Sequence, residues 1–123
     1  MLDHLEVFTT DLTASVAFYQ RALAPLGYAL HATGPSHGFG TEPARLDFWL
    51  RAGTASTPRP HFAFFCATRA LVDAAHRAAL AAGAIDNGAP RVVERISPTY
   101  YAGFVLDPDG HNVEFVCQAA PAS

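Results

Sequence analysis

The segment Arg45-Leu-Asp-Phe-Trp-Leu-Arg51 alternates from residue to residue. Leu46, Phe48 and Leu50 fall on one face, and Arg45, Asp47, Trp49 and Arg51 on the other, the period-two pattern of a half-buried strand. Residues 4–10 carry a weaker version, with Leu5 and Val7 on one side and His4, Glu6 and Phe8 on the other. Asp11 stands where a helix N-cap belongs, because its carboxylate can accept the free amides of a first turn. Behind it Leu12, Val16, Tyr19 and Leu23 recur at helical spacing, and Pro25 and Gly27 end a helix expected near residues 11–24. Short β-like pieces follow at residues 28–32, 37–41 and 45–51.

The order then restarts. His61-Phe-Ala-Phe-Phe-Cys-Ala67 reads as a strand, and residues 69–82 as an alanine-rich helix closed by Gly83. Residues 86–90, Asp-Asn-Gly-Ala-Pro, are expected as a loop. Residues 100–106 and 112–117 read as strands around Asp107-Pro-Asp-Gly-His111, a hairpin-turn signal. Residues 53–60, rich in Thr, Ser, Ala and Pro, read as a linker. The chain is therefore one domain of two repeated modules, about 1–53 and about 59–118.

Half of the 123 residues are hydrophobic and 15% are charged, with a mean hydropathy of +0.14. Such a chain can bury a core, which excludes wholesale disorder. Eight arginines against eleven acidic residues give a net charge of −3 and argue against nucleic acid as a partner. The absence of lysine excludes Schiff-base and P-loop chemistry. The longest apolar stretch, residues 70–85, is broken by Asp73, His76 and Arg77, so no membrane span is expected. Cys66 and Cys117 sit in no zinc-type spacing and read as buried free thiols. With no basic-then-apolar leader at the start, a cytoplasmic protein is expected.

His4 and His61 each open the first strand of a module, and Glu114 lies in the last strand, on the face of Asn112 and Val116. Two neutral imidazoles and a carboxylate form a three-ligand set for a divalent metal, with positions left open for water or substrate. Spacing alone favours a surface His4, a strand-capping His61 and a solvated Glu114.

The motifs Asp3-His-Leu-Glu-Val7, Asp11-Leu-Thr-Ala-Ser-Val-Ala-Phe-Tyr19, Ala24-Pro-Leu-Gly-Tyr28, His61-Phe-Ala-Phe64 and Leu106-Asp-Pro-Asp-Gly-His-Asn-Val-Glu-Phe115 together resemble the vicinal oxygen chelate superfamily of glyoxalases, bleomycin resistance proteins and extradiol dioxygenases. The resemblance runs from His4 to Cys117. It implies an α+β fold of two tandem βαβββ modules forming a curved, half-open mixed sheet around a central pocket. It also implies that His4, His61 and Glu114 converge on a divalent ion (iron, manganese, zinc or nickel), their donor atoms within about 3–5 Å of one another. The sequence departs from particular branches. The fourth strand offers Asp47 or Trp49 where glyoxalase I commonly adds a glutamate, and no lysine supports a fosfomycin-type cationic pocket. Phe104 stands where dioxygenases often carry tyrosine, with Tyr100 on the same face as a substitute.

Under this resemblance Glu6 is the candidate general base and Tyr100 the candidate donor to an oxyanion. Phe8, Asp47, Trp49, Phe65 and Phe104 are the expected pocket wall, with Arg45 or Arg51 as nearby cations. His31, His37, His76 and His111 are expected on the surface. The function implied is a metal-dependent enzyme, of lyase, isomerase or dioxygenase type, acting on an oxygen-bearing small molecule. The alternative is a metal-free protein that sequesters a drug or aromatic ligand. Half-open sheets expose edges and apolar surface, so a homodimer is expected.

Overall fold

In the computed structural model, which describes residues 1–121, Asp11 accepts the Ala14 amide at 3.1 Å and so starts α1 (Leu12–Ala22) directly after β1 (Leu5–Thr9). The helix runs into a 3-10 turn, Ala24–Leu26, that ends at Gly27 with φ 80°. Then come β2 (Ala29–Ala32), β3 (Ser36–Glu42) and β4 (Arg45–Ala52). The second half repeats the order with β5 (Phe62–Phe65), α2 (Arg69–Ala81), β6 (Ile85–Val92), β7 (Tyr101–Leu106) and β8 (Asn112–Cys117). Thr68 caps α2 through the Leu71 amide at 3.2 Å.

Each half closes a four-stranded mixed sheet, in the orders β1-β4-β3-β2 and β5-β8-β7-β6. In each, the first strand lies parallel to the last and the remaining pairs are antiparallel. The tandem βαβββ architecture expected from the sequence is present. Among the described residues no helix is long and apolar enough to cross a membrane.

The helix-bearing faces of the two sheets share one core. Val7, Phe39, Phe48 and Leu50 of the first sheet join Phe64, Val113 and Phe115 of the second, with Cys66 just after β5 and Phe18, Tyr19, Val72 and Ala75 from the helices. Phe48 bridges the halves, its ring 4.8 Å from Tyr19, 5.5 Å from Phe62 and 5.2 Å from Phe64. Because these two faces meet, the opposite faces of the sheets, which carry Glu6 and Glu114, look away from each other.

A polar latch reinforces this packing. The turn between β7 and β8 reaches into the first module, where the Tyr19 hydroxyl donates to Asp107 Oδ2 at 2.5 Å. The same carboxylate accepts from His111 Nδ1 at 2.7 Å and from the amides of Asp109 and His111. Asp109 in turn accepts the amide and hydroxyl of Thr10 at 2.9 and 2.6 Å. Burial, followed by the charge of Asp107, holds the Tyr19 hydroxyl protonated far above its ordinary range.

Three expectations are corrected here. His111 is buried, because Asp107 four residues earlier supplies its partner. His76 is buried under the second sheet, its Nε2 3.2 Å from Asp86. Residues 86–90 belong to strand β6 rather than a loop. This strand lies at a sheet edge, where Pro90 loses nothing by lacking an N–H, and shifted register with β7 accommodates Gly88.

Cys66 and Cys117 are buried as expected, and burial pushes the Cys66 thiol up to about 11. Reagents that attack thiolate should leave both untouched in the folded protein and titrate both only after denaturant is added, which Ellman's assay measures directly.

Candidate functional site

Ala63, Glu114 and Phe104 stand in one row across β5, β8 and β7, and Gly88 of β6 extends it. Strand alternation turns Glu114 away from the helices, between the core residues Val113 and Phe115. Its side chain is nevertheless only 5% exposed. Tyr100 donates its hydroxyl to Oε2 at 2.5 Å, and His61 Nε2 lies 2.9 Å from Oε1. Burial, then the hydrogen bond and charge of Glu114, pushes the Tyr100 hydroxyl up to about 12. Tyr100 is therefore a donor at neutral pH.

The other nitrogen of His61 decides what this pair can hold. Nδ1 lies 2.7 Å from the Asn112 carbonyl oxygen, which can only accept, so Nδ1 carries a hydrogen. In the neutral ring Nε2 then presents a lone pair to a carboxylate oxygen. Two acceptors at that distance repel unless a cation, a proton or a metal ion, stands between them. Nitrogen and oxygen donors, each oriented by a further partner (the Asn112 carbonyl and the Tyr100 hydroxyl), form a set that fits a divalent metal.

His4 does not join them within one chain. It is exposed at the start of β1, its Nδ1 2.7 Å from Asp3. Among the described residues, the one trio of histidine, cysteine or carboxylate ligand atoms all within 4.8 Å of one another is Asp107, Asp109 and His111, whose carboxylates are already engaged in the latch. The shared core explains the separation, since it turns the His4 and Glu114 faces apart.

The other site candidates divide between the two sheets. His4 and His61 border a cleft of about 470 Å³ between β1 and β5, with Asp47, Phe65, Tyr28 and Phe62. Asp47 accepts the Tyr28 hydroxyl at 2.9 Å. Glu6 accepts the Ser36 hydroxyl at 2.7 Å and shares a shallow hollow with His4 and Trp49. The Trp49 ring covers Gly38, where a Cβ would come within 2.8 Å of it. Phe8 lies against Gly53. On the second sheet the Phe104 ring is 6.3 Å from that of His61. Arg45 and Arg51 sit exposed on β4 of the first sheet.

A cation on the Glu114 face of the sheet is Arg91, which the sequence reading passed over, its guanidinium carbon 5.7 Å from the Phe104 ring centre. The register shift between Gly88 and Arg91, which alternation along the sequence does not reveal, is what puts Arg91 on this face.

A family model, Glyoxalase/Bleomycin resistance protein/Dioxygenase superfamily, matches residues 1–115. No curated protein matches the chain. Among similar solved structures is a glyoxalase/bleomycin resistance protein from Albidiferax ferrireducens T118, 23% identical, covering 94% of this chain and 96% of that one, with TM-score 0.78. A glyoxalase/bleomycin resistance protein/dioxygenase family enzyme from Burkholderia phytofirmans PsJN is 22% identical over 96% of this chain and 98% of its own, with TM-score 0.73. A glyoxalase I mutant from Zea mays is 18% identical over 94% of this chain and 46% of its own, with TM-score 0.69. The match over residues 1–115 places this chain in the glyoxalase/bleomycin resistance protein/dioxygenase superfamily.

Proposed function

We propose that the protein is a metal-dependent enzyme acting on an oxygen-bearing small molecule, with His61 and Glu114 as two ligands and His4 of a second copy as the third. The observation that carries this is the 2.9 Å approach of His61 Nε2 to Glu114 Oε1, in a setting where Nδ1 bears a hydrogen and a shared cation must stand between the two atoms. A bound divalent ion would act as a Lewis acid on two substrate oxygens and stabilise the negative charge that builds on them. The chain's own residues do the rest. The Asn112 carbonyl fixes the His61 tautomer, and Tyr100 holds the carboxylate through a proton it keeps. Val93, Ala102 and Val116, packed against Tyr100 and Phe104, make an apolar floor that keeps water from the reacting atoms.

The second copy answers the placement of His4. Edge strands β1 and β5 carry Phe8 and Phe65, the latter 76% exposed, which suits association. A homodimer that lays the first sheet of one chain against the second sheet of the other would bring His4 to Glu114. Glu6, on the face of His4, would arrive as a proton acceptor, with Trp49 and Phe8 as wall.

The test is metal analysis of protein purified without chelator or metal resin, with light scattering on the same sample. About one divalent ion per chain and twice the chain mass are expected. Glu114→Gln keeps the shape and removes the charge, and it should weaken metal binding at least about tenfold. Retention should also fall in acid, because protons compete for the ligand lone pairs. A metal-free wild type that binds an aromatic ligand equally well with and without EDTA would instead establish a sequestering protein.

A further inference from the structure

Arg91 pairs in register with Ala102, and Ala102 with Val116, so it occupies the row next to Gly88, Phe104 and Glu114 on the same face. Its side chain folds back across Gly88 toward that row. A Cβ built on Gly88 would stand 3.0 Å from Arg91 Nη1 and 3.1 Å from Phe104 Cδ1, and Gly88 has φ +145°, so both the space and the backbone call for glycine. The guanidinium is thus seated over an aromatic ring that lies, tilted by 31°, beside the His61 imidazole.

Its hydrogen-bonding capacity is almost untouched. The one bond it makes among the described residues is Nη1 to the Ala89 carbonyl at 3.4 Å, which is long for such a contact. No ion pair among the described residues includes an arginine. The carboxylate on the same face, Glu114, is taken by His61 and Tyr100. A planar fork of donors, held in place and left without an anion, matches a carboxylate arriving from outside.

We propose that Arg91 anchors the substrate's anionic group, so that the site takes a flat, carboxylate-bearing small molecule. The carboxylate pairs with the guanidinium, the planar body lies along Phe104, and the oxygens to be activated reach His61 and Glu114. This rests on the reading above that the Glu114 face is the reacting face. Charge agrees with it: a divalent ion with Glu114 as ligand, Glu6 of the second copy as proton acceptor and Arg91 together leave a single positive charge for the substrate's carboxylate to meet.

Benzoate and its neutral twin benzamide are the probes, with affinity measured by calorimetry on wild type, R91M, R91Q and R91K. Methionine keeps an unbranched apolar chain over Phe104 and removes the charge, while glutamine guards against a packing effect of that change. Wild type should bind benzoate at least about tenfold more tightly than benzamide, a difference of about 1.4 kcal/mol. R91M and R91Q should bind the two alike, and R91K should recover part of the preference. Equal or unmeasurable binding of both probes by wild type overturns the proposal, as does a benzoate preference that survives R91M. Repeating the titrations with EDTA and with Mn(II) separates the two readings. A preference that depends on Arg91 but is indifferent to the ion keeps the anchor and removes the metal.

Discussion

Asp107→Ala is expected to lower stability by about 3–5 kcal/mol and the melting temperature by roughly 10–20 °C. The carboxylate is buried and accepts from the Tyr19 hydroxyl, His111 Nδ1 and two backbone amides. Alanine would leave all four donors without an acceptor, two of them on fully buried side chains, and each orphaned group costs about 1–3 kcal/mol. Tyr19→Phe, which removes one donor and orphans nothing else, should cost only about 1–1.5 kcal/mol. Urea melts followed by circular dichroism give both values. A loss below about 1 kcal/mol for Asp107→Ala would mean that the latch does not hold the modules together.

Phe48→Ala should be comparably severe, at about 3–5 kcal/mol. The ring is 2% exposed and is enclosed by Tyr19 and Phe39 from its own module and by Phe62 and Phe64 from the other. Truncation opens a cavity where the halves meet, and close-packed neighbours fill such a void only in part. Phe48→Leu should recover most of the loss. The shape of the melt is as informative as its midpoint. A shared core predicts one cooperative transition in both variants, whereas a first module that melts apart from the second would show that the cores are separate.

The strands that face water on one side and core on the other could be read from the chain, and so could both helices. Residues 45–51 announce themselves by alternation, residues 112–117 by the turn signal before them, and Asp11, Gly27 and Gly83 mark helix ends through local chemistry. His61 and Glu114, at the two ends of the second module, could be proposed as neighbours from the family resemblance, and their side chains lie 2.9 Å apart. What escaped depended on partners that periodicity does not reveal. His76 meets Asp86 ten residues on, across a change of element, and Tyr19 meets Asp107 after 88 residues. Whether two like modules face each other with their core sides or their polar sides is equally invisible to a pattern within either one. That choice determines that His4 stays apart from Glu114 in a single chain. Arg91 was hidden by composition, since Asn, Gly and Pro are turn residues in most settings and edge-strand residues here.

The latch also has a consequence for the order in which the chain is made. Thr10 and Asp109 are 99 residues apart, and Tyr19 and Asp107 are 88 apart. At about 5–20 residues per second, Tyr19 waits roughly 4–18 s after its own incorporation for the carboxylate that its hydroxyl needs. During that interval α1 can already cover the first sheet through Phe39 and Phe48, but its phenol must stay hydrated or be buried without an acceptor. The nascent first half is therefore held short of its final packing until the turn before the last strand leaves the ribosome. A chain terminated before residue 107 carries that fault permanently, so truncated products should be recognised and degraded even when their first module is complete.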